Sequence, residues 1–465
     1  MTTFLEQVKI APSGRRCALL RGAALTRPPS APTCPAGARR PRTRVQGVDL
    51  PTASDVEHAA RTLRDVVGTS PLHPSPRLSA ATGLDVWLKR EDLHEVRSYK
   101  GRGAYNLVAG LSPEERERGV TCASAGNHAQ GVAFACSRLG VRATIFLPRT
   151  TPRQKRARIA ALGGPLVEVV VDGDTYDDAD QQSRELARST GAVVVPAFDD
   201  PRTIAGQGTV GLEVLDQLAA LGRTPTAVVA PVGGGGLLAG LLTVLSERAP
   251  YVDVVGVEPA GAASMAAALA AGAPVELGAV DSFVDGAAVR RVGDWTHAVV
   301  AAHRPPLLAV PEGLVCVEML DLYQSDGIIA EPAGALASAA IREHAVAAPG
   351  STVVCVLSGG NNDVSRYAEV VERALVHEGL RHYFLVEFPQ EPGALRMFLD
   401  DVLGPDDDIV LFEYVKRSNR ETGPALVGIE LQRPTDYAPL LERMGASGIR
   451  VQVVEPTSPL FRMVQ

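Results

Sequence analysis

The feature that most constrains this fold is a regular alternation of short apolar runs with longer segments of helical period. The apolar runs have the length and composition of buried strands and cover residues 86–88, 143–147, 166–171, 192–195, 227–230, 254–257 and 352–357. Strands that alternate with helices predict parallel sheets covered on both faces, so we expect an α/β fold. Ligands in such folds bind at the carboxyl ends of the strands, and the loops that follow these runs are the places to look for a functional site.

The order of elements changes near residues 376–381. Beyond this point the sequence predicts a strand at 383–388, a helix at 393–403, strands at 409–416 and 425–432, a helix at 436–444 and a strand at 450–454. This βαββαβ order is that of a small ferredoxin-like unit. We therefore expect an α/β body over residues 51–375 and a separate domain over residues 381–465.

The first fifty residues share neither pattern. Nine Lys and Arg residues stand there against two acidic residues, and prolines cluster between Pro28 and Pro41. No period persists, so we expect residues 1–50 to be disordered. Such an N-terminus fits an organelle transit segment, and equally an unstructured extension or a start codon placed too far upstream.

Composition excludes several classes of function. The 465 residues are 46% hydrophobic and 21% charged, as in a soluble protein of two or three domains. The net charge of −7 argues against a general nucleic-acid or anionic-membrane binder. Six scattered cysteines show no metal-ligand spacing, so we expect free thiols in a reducing compartment, the cytoplasm.

One uncharged stretch, residues 226–245, has the length of a membrane span. Four successive glycines, 233–236, interrupt it, and each would cost a helix roughly 1 kcal/mol relative to alanine. The stretch is therefore predicted to be a buried strand, a tight loop and an apolar helix.

Lys100 lies in the sequence Ser-Tyr-Lys-Gly-Arg-Gly-Ala at 98–104, which follows Lys-Arg-Glu-Asp at 89–92. A lysine among polar residues is ordinarily a solvated charge. A desolvated lysine amine, however, is a nucleophile that forms Schiff bases with carbonyl groups. The adjacent Gly101 and Gly103 allow another group to approach the backbone closely.

Three other loops follow strands or precede helices. The sequence Ser-Ala-Gly-Asn-His-Ala-Gln-Gly at 124–131 is a strand-to-helix turn whose amides can bind a carboxylate; alternatively, Asn127 caps the helix and His128 is structural. The glycines at 233–236 let consecutive amides turn toward one phosphate, without a dinucleotide or nucleoside-triphosphate fingerprint. Ser358 either caps a helix or offers its hydroxyl to a ligand.

Together these motifs resemble the fold-type II pyridoxal-phosphate enzymes, and most closely the biosynthetic threonine dehydratases. The matching segments are residues 89–92, 98–104, 124–131, 205–209, 233–237 and 331–335. The resemblance runs from about residue 52 to the C-terminus. It implies two parallel-sheet subdomains within a catalytic domain at 51–375.

The resemblance also implies the roles of individual residues. Lys100 would carry pyridoxal 5'-phosphate as a Schiff base and later take the Cα proton of the substrate. Asn127 would hydrogen-bond the 3'-oxygen of the ring, and Ser358 would face the ring nitrogen. The phosphate would be held by Gly233, Gly234, Gly235, Gly236 and Leu237, and the substrate carboxylate by Ser124, Ala125, Gly126 and Asn127.

The implied reaction is deamination of L-threonine, with L-serine as the alternative substrate, to a 2-oxo acid and ammonia in isoleucine biosynthesis. An uncharged serine at the ring nitrogen favours loss of the β-hydroxyl over transamination. Ala125 occupies the position of a second serine in the serine racemases, so racemisation would lack one proton carrier. Relatives with a divalent cation carry a Glu followed six residues later by Asp; here Glu258 is followed by Ser264, and we expect no metal.

The C-terminal unit resembles the ACT-like regulatory domain of threonine dehydratases, in a single copy. Isoleucine or valine is therefore the expected effector, and a homotetramer or homodimer the expected assembly, although a purely oligomerising domain remains open. Two other functions also remain open: a degradative serine/threonine dehydratase, and a catalytically silent amino-acid sensor built on the same fold.

Overall fold

The computed structural model describes residues 44–45, 48–414, 422–455 and 458. Most of the segment expected to be disordered, residues 1–50, lies outside these ranges. Its described part departs from the expectation, because residues 44–45 and 48–49 pair as two short antiparallel strands. Val45 and Leu50 pack against the apolar core, which explains why this end of the segment is ordered.

Strands and helices alternate along most of the described chain. The strands are β1 (Arg44–Val45), β2 (Val48–Asp49), β3 (Leu72–Pro74), β4 (Asp85–Arg90), β5 (Val120–Ala123), β6 (Ala143–Leu147), β7 (Val167–Val171), β8 (Val193–Val194), β9 (Ala227–Pro231), β10 (Asp253–Pro259), β11 (Leu307–Val310), β12 (Thr352–Leu357), β13 (Arg381–Pro389), β14 (Asp408–Tyr414), β15 (Thr422–Glu430) and β16 (Arg450–Val453). The helices are α1 (Ala53–Leu63), α2 (Pro76–Thr82), α3 (Lys100–Ala109), α4 (Pro113–Arg118), α5 (Asn127–Leu139), α6 (Arg153–Gly163), α7 (Tyr176–Thr190), α8 (Pro201–Ala220), α9 (Gly236–Arg248), α10 (Ser264–Ala271), α11 (Asp294–His303), α12 (Glu312–Gln324), α13 (Pro332–Glu343), α14 (Tyr367–His377), α15 (Ala394–Asp401) and α16 (Tyr437–Ala446).

The larger sheet has the strand order β11-β10-β9-β12-β4-β3 and is parallel except for the β3–β4 pair. Its central strands are apolar on both faces because a separate core covers each side. Val228, Val354 and Trp87 lie side by side and face one core. Their chain neighbours Val229, Cys355 and Leu88 face the other.

The smaller sheet has the order β7-β6-β5-β8, and all its pairs are parallel. Helices α3 and α5 pack against each other in its core. The prediction of an α/β catalytic body with two parallel sheets is confirmed. Strands β3 and β11 were not predicted, because three or four residues carry too little periodic signal.

The C-terminal sheet is antiparallel in the order β14-β15-β13-β16, with α15 and α16 completing the predicted βαββαβ unit. Its core contains Phe384, Phe398 and Val427, one from each of β13, α15 and β15. The predicted strand at 409–416 is described only as far as Tyr414, and residues 415–421 lie outside the described ranges.

The uncharged stretch at 226–245 folds as predicted into β9, a loop and α9. None of the helices in the described ranges is both long and apolar enough to cross a membrane. Instead, α9 packs closely on α8. A Cβ added at Gly240 would lie 2.5 Å from the amide nitrogen of Gly208 and 2.5 Å from the carbonyl oxygen of Ile204.

We therefore expect Gly240→Ala to lower the free energy of unfolding by about 1–3 kcal/mol, the usual cost of overpacking a core, in urea denaturation followed by circular dichroism. Gly445→Ala in α16 is the matched control, since nothing lies within 4 Å of its added Cβ. The control should be neutral or stabilising by up to about 1 kcal/mol. Equal effects of the two substitutions would contradict this account of the α8–α9 contact.

Candidate active site

Lys100 is the first residue of α3; the residue before it, Tyr99, packs against a core of the larger sheet, and Ala104 lies in the core of the smaller sheet. Its Nζ donates a hydrogen bond to the carbonyl oxygen of Ala197, at 3.0 Å. The preceding residue, Tyr99, donates its backbone N–H to the carbonyl oxygen of Ser358, at 3.2 Å. The start of α3 is thus held between the loop after β8 and the loop after β12.

The surroundings of Lys100 differ from those of the other two described lysines. Lys89 is fully buried and its Nζ lies 2.6 Å from a Glu213 oxygen. Lys155 lies 3.1 Å from Asp285. In the described part of the chain, no carboxylate is ion-paired with Lys100, so its amine is the one positioned to react with a ligand.

Glycines next to Lys100 allow close helix packing. A Cβ at Gly131 of α5 would lie 2.9 Å from the carbonyl oxygen of Lys100, and a Cβ at Gly206 of α8 would lie 2.7 Å from the Cα of Gly103. The close approach expected from the glycines of this segment is therefore made by neighbouring helices. These contacts fix α3, and with it Lys100, against α5 and α8.

A buried ion cluster lies around Arg102, two residues further along α3. The Arg102 guanidinium is 1% exposed and contacts Glu91 at 2.8 Å, Glu213 and His94. Burial alone would raise the pKa of Glu91, but the charges of Arg102 and His94 lower it well below its usual range. Burial lowers the pKa of Lys89 in the same cluster, and the carboxylates beside it oppose that shift. The Lys-Arg-Glu-Asp motif thus serves to anchor α3.

The glycine loop joins β9 to α9. Gly235 has φ +91°, a conformation that L side chains rarely adopt, and precedes the first residue of α9. Added Cβ atoms would strike Ala287 from Gly233 and the Phe198 ring from Gly234. The Thr296 hydroxyl donates to the carbonyl oxygen of Gly234, at 2.7 Å.

This loop fits a phosphate group. No side chain caps α9, so the amides of its first turn have no side-chain acceptor, and the positive end of the helix dipole points the same way. Phe198 follows Ala197, the hydrogen-bond partner of Lys100. Ala197 accepts a hydrogen bond from Lys100, and the next residue, Phe198, packs against Gly234, so these two residues link the lysine to the glycine loop.

Asn127 is the first residue of α5, and Gly126 occupies the cap position, so the alternative of an Asn127 cap is not observed. Instead, Asn127 Nδ2 donates to Glu331 Oε1 at 2.6 Å. Its Oδ1 accepts from Asn361 Nδ2, also at 2.6 Å. The adjacent Ser124 hydroxyl accepts from the Gly126 amide at 3.2 Å. The start of α5 has no side-chain cap, which leaves amides available to a carboxylate.

Ser358 follows β12, and its hydroxyl donates to the carbonyl oxygen of Ala333 at 3.2 Å. His128 lies beside Lys100 but is 6% exposed, and its Nε2 bonds to the Val195 carbonyl at 2.8 Å. Burial, together with the Lys100 charge, lowers the pKa of His128 to about 4, so the ring is neutral near pH 7. These contacts are those of a structural histidine.

The structure thus brings the predicted site residues to one edge of the two sheets. It adds three residues whose roles the sequence did not reveal: Glu331, Asn361 and Phe198. Glu331 and Asn361 contact Asn127 across more than two hundred positions of sequence. Glu331 lies inside a segment already matched to the family, which was the available signal. Glu258, considered above as a cation ligand, accepts the amides of Met265 and Ala266 at the start of α10.

Comparison with known proteins agrees with this geometry. The family of pyridoxal-phosphate-dependent enzymes matches residues 63–359, and the C-terminal regulatory domain of threonine dehydratase matches residues 372–464. The biosynthetic L-threonine dehydratase IlvA of Mycobacterium tuberculosis is 60% identical over 88% of this chain and 95% of that protein. The corresponding protein of Bacillus subtilis is 47% identical over 87% of this chain and 96% of its own length.

Two solved structures of related enzymes share this fold. Threonine deaminase isoform 2 of Solanum lycopersicum superposes with a TM-score of 0.64 at 38% identity, covering 72% of this chain and 99% of that structure. Maize serine racemase reaches a TM-score of 0.64 at 27% identity, over 70% of this chain and 99% of that structure. From the family matches and these relatives, this chain belongs to the pyridoxal-phosphate-dependent enzymes and, among them, to the biosynthetic threonine dehydratase family.

Proposed function

We propose that this chain catalyses the deamination of L-threonine to 2-oxobutanoate and ammonia, the first committed step of isoleucine biosynthesis. The observation that carries the proposal is the position of Lys100 at the shared edge of the two sheets, with a neutral carbonyl as its partner. The relatives named biosynthetic L-threonine dehydratases supply the substrate and the pathway. L-Serine is a possible second substrate.

We assign two tasks to Lys100. Its amine would hold pyridoxal phosphate, and the same amine would remove the Cα proton of the substrate. The cofactor, when bound, supplies the electron sink that makes this proton removable. The absence of a carboxylate partner among the described residues means that no ion pair competes with either task.

The remaining residues hold the cofactor and the substrate. Asn127 would donate to the 3'-oxygen of the ring, and Ser358 would lie at the ring nitrogen. The amides at the uncapped start of α9 hold the phosphate, and those at the uncapped start of α5 receive the substrate carboxylate. The residues proposed to hold the phosphate are Gly233, Gly234, Gly235, Gly236 and Leu237. The residues proposed to receive the substrate carboxylate are Ser124, Ala125, Gly126 and Asn127.

Two of these residues direct the outcome of the reaction. Ser358 carries no charge that could form an ion pair with a protonated ring nitrogen, and this favours rapid loss of the β-hydroxyl. Ala125 has only a methyl group, and it packs against the core of the smaller sheet, so it cannot return a proton to Cα. Both features favour elimination over transamination and racemisation.

Lys100→Ala should lower the rate of 2-oxobutanoate release by at least about 10²–10⁴-fold, because the general base and the covalent anchor are lost together. A keto-acid assay with L-threonine and L-serine measures the rate. Lys155→Arg is the control, since it replaces the other partly exposed lysine but keeps a positive charge beside Asp285, and it should leave both the rate and the visible absorbance unchanged. A Lys100→Ala protein that still released 2-oxobutanoate at the unmodified rate would refute the roles assigned to Lys100, whereas an unmodified protein that released none would favour the sensor alternative.

We further propose that isoleucine, or valine, binds the regulatory domain and inhibits the enzyme. Helix α14 leads from the catalytic sheet directly into β13 of the regulatory sheet. Arg381 at the start of β13 pairs with Glu372 on α14 and with Glu430 on β15. The Tyr383 hydroxyl also donates to Glu372, at 2.7 Å. This cluster, which we call the joint, ties α14 to two strands of the regulatory sheet.

Helix α14 also reaches toward the glycine loop. The guanidinium groups of Arg366, the residue before α14, and of Arg373 on α14 lie 4.8 Å and 4.4 Å from the centre of the Phe283 ring. Four residues later, Ala287 packs against Gly233, where an added Cβ would lie 2.8 Å from the Ala287 Cα. A shift of α14 would therefore be felt by the proposed phosphate site through one short segment, residues 283–287.

We expect isoleucine to lower the rate of threonine deamination. Removing the ion pairs of Arg381 in the joint should weaken this inhibition. We expect Arg381→Met to bind isoleucine by calorimetry while losing at least part of the inhibition, because binding and its coupling to the site are separable. Arg433→Met is the control, since Arg433 is exposed and pairs with Asp436 on the surface of the same domain. Activity of the unmodified enzyme that did not respond to isoleucine or valine would contradict the proposed regulation.

We assign the domains as residues 1–50, an extension; 51–375, the catalytic domain; and 381–465, the regulatory domain. We also propose a cytoplasmic homotetramer or homodimer that binds neither nucleic acid nor membranes; this assembly rests on the family resemblance. A degradative serine/threonine dehydratase is the second candidate function. The regulatory-domain match favours the biosynthetic enzyme.

A further inference from the structure

Glu331 is a buried acid at the edge of the site to which the proposed reaction assigns no role. It is 5% exposed and occupies the cap position of α13. Its backbone N–H donates to the carbonyl oxygen of Gly359 at 3.1 Å, and its carboxyl packs on the backbone of that glycine. Gly359 follows Ser358, so Glu331 is fixed to the same loop that presents Ser358.

The hydrogen bonds around Asn127 determine which way its amide faces. Asn361 Nδ2 donates to the carbonyl oxygen of Val96 at 2.8 Å and to Asn127 Oδ1 at 2.6 Å. A carbonyl oxygen can only accept, so it fixes the Asn361 amide, and Asn127 must present its oxygen to Asn361. Nδ2 of Asn127 then faces Glu331 Oε1, at 2.6 Å.

One Nδ2 hydrogen of Asn127 is thereby committed to Glu331. The second Nδ2 hydrogen of Asn127 remains for a ligand. The hydrogen bond that Asn127 Oδ1 accepts from Asn361 polarises the amide and makes this N–H a stronger donor. We propose that Glu331 is a positioning residue: by accepting one hydrogen of the Asn127 amide, it directs the other toward the ring oxygen of the cofactor, and its carboxyl charge is felt there. This inference rests on the role proposed above for Asn127.

The charges that face Glu331 come from three elements: Asp285 in the segment before α11, Lys155 on α6 and Lys100 on α3. Burial is the main influence on the Glu331 carboxyl, and the Asp285 charge acts in the same direction. Together they raise its pKa to about 7, against opposing contributions from Asn127, Lys155 and Lys100. The carboxyl is therefore protonated below this pH and ionised above it.

The test is a pH titration of the visible absorbance of the holoenzyme. In the unmodified enzyme the band should change as Glu331 ionises, with a midpoint above the ordinary pKa of a glutamate, because burial and the Asp285 charge both raise it. In Glu331→Gln, which keeps the size of the side chain and an accepting oxygen, that transition should disappear while the cofactor stays bound. A purely structural role for Glu331 would not move this transition.

Glu258→Gln is the matched control. Glu258 is 1% exposed, and burial raises its pKa to about 7 as well, but it accepts only backbone amides at the start of α10. This variant should keep the transition. A transition that survives in Glu331→Gln, or is lost equally in Glu258→Gln, would overturn the inference.

The dissociation constant of pyridoxal phosphate gives a second readout. Glu331→Ala removes the acceptor and should weaken cofactor binding by about tenfold, the loss of one hydrogen bond of about 1.4 kcal/mol. Unchanged affinity in Glu331→Ala would overturn the positioning role even if Lys100 carried the cofactor as proposed. If the unmodified protein bound no pyridoxal phosphate, the proposed function and this inference would fail together.

Discussion

The geometry of this site depends on the buried ion pairs of the Arg102 guanidinium with Glu91 and Glu213. Arg102 lies two residues after Lys100, is almost fully buried, and is neutralised by Glu91, which directly follows β4, and by Glu213 from α8. Removing one partner from such a buried cluster typically costs about 3–5 kcal/mol, because a charge remains without compensation. The cluster therefore fixes the position of α3 along both β4 and α8, and Lys100 is held at the sheet edge as a consequence.

Direct backbone contacts complete the placement. Glycines let α3 touch α5 and α8, so the first turn of α3 cannot shift without displacing two helices. The amine of Lys100 then meets Ala197, whose neighbour Phe198 packs on the glycine loop. Four segments that are distant in sequence thus form one site through contacts of backbone and small residues.

Much of this could be predicted from the sequence. Long apolar runs such as residues 352–357 predicted strands of the sheets correctly. Asn127, the glycines at 233–236 and Ser358 lie just after strands, where a site was expected. Strands β3 and β11 were missed because runs of three and four residues have no measurable period. Glu331 escaped for another reason: its partner Asn127 lies 204 residues away, and only the folded chain shows that they share a hydrogen bond. Pattern reveals local structure, whereas the pairing of distant polar side chains depends on the tertiary fold.

The central claim is that Lys100 carries the cofactor. The chain has five lysines, Lys9, Lys89, Lys100, Lys155 and Lys416, so the attachment site can be read without ambiguity. Reduction of the holoenzyme with borohydride, followed by proteolysis and mass spectrometry, locks the cofactor onto its lysine. The account predicts the added mass on the peptide that contains Lys100 and on none of the other four lysines. A label on Lys89 or Lys155, or no label in an enzyme that still deaminates threonine, would contradict it.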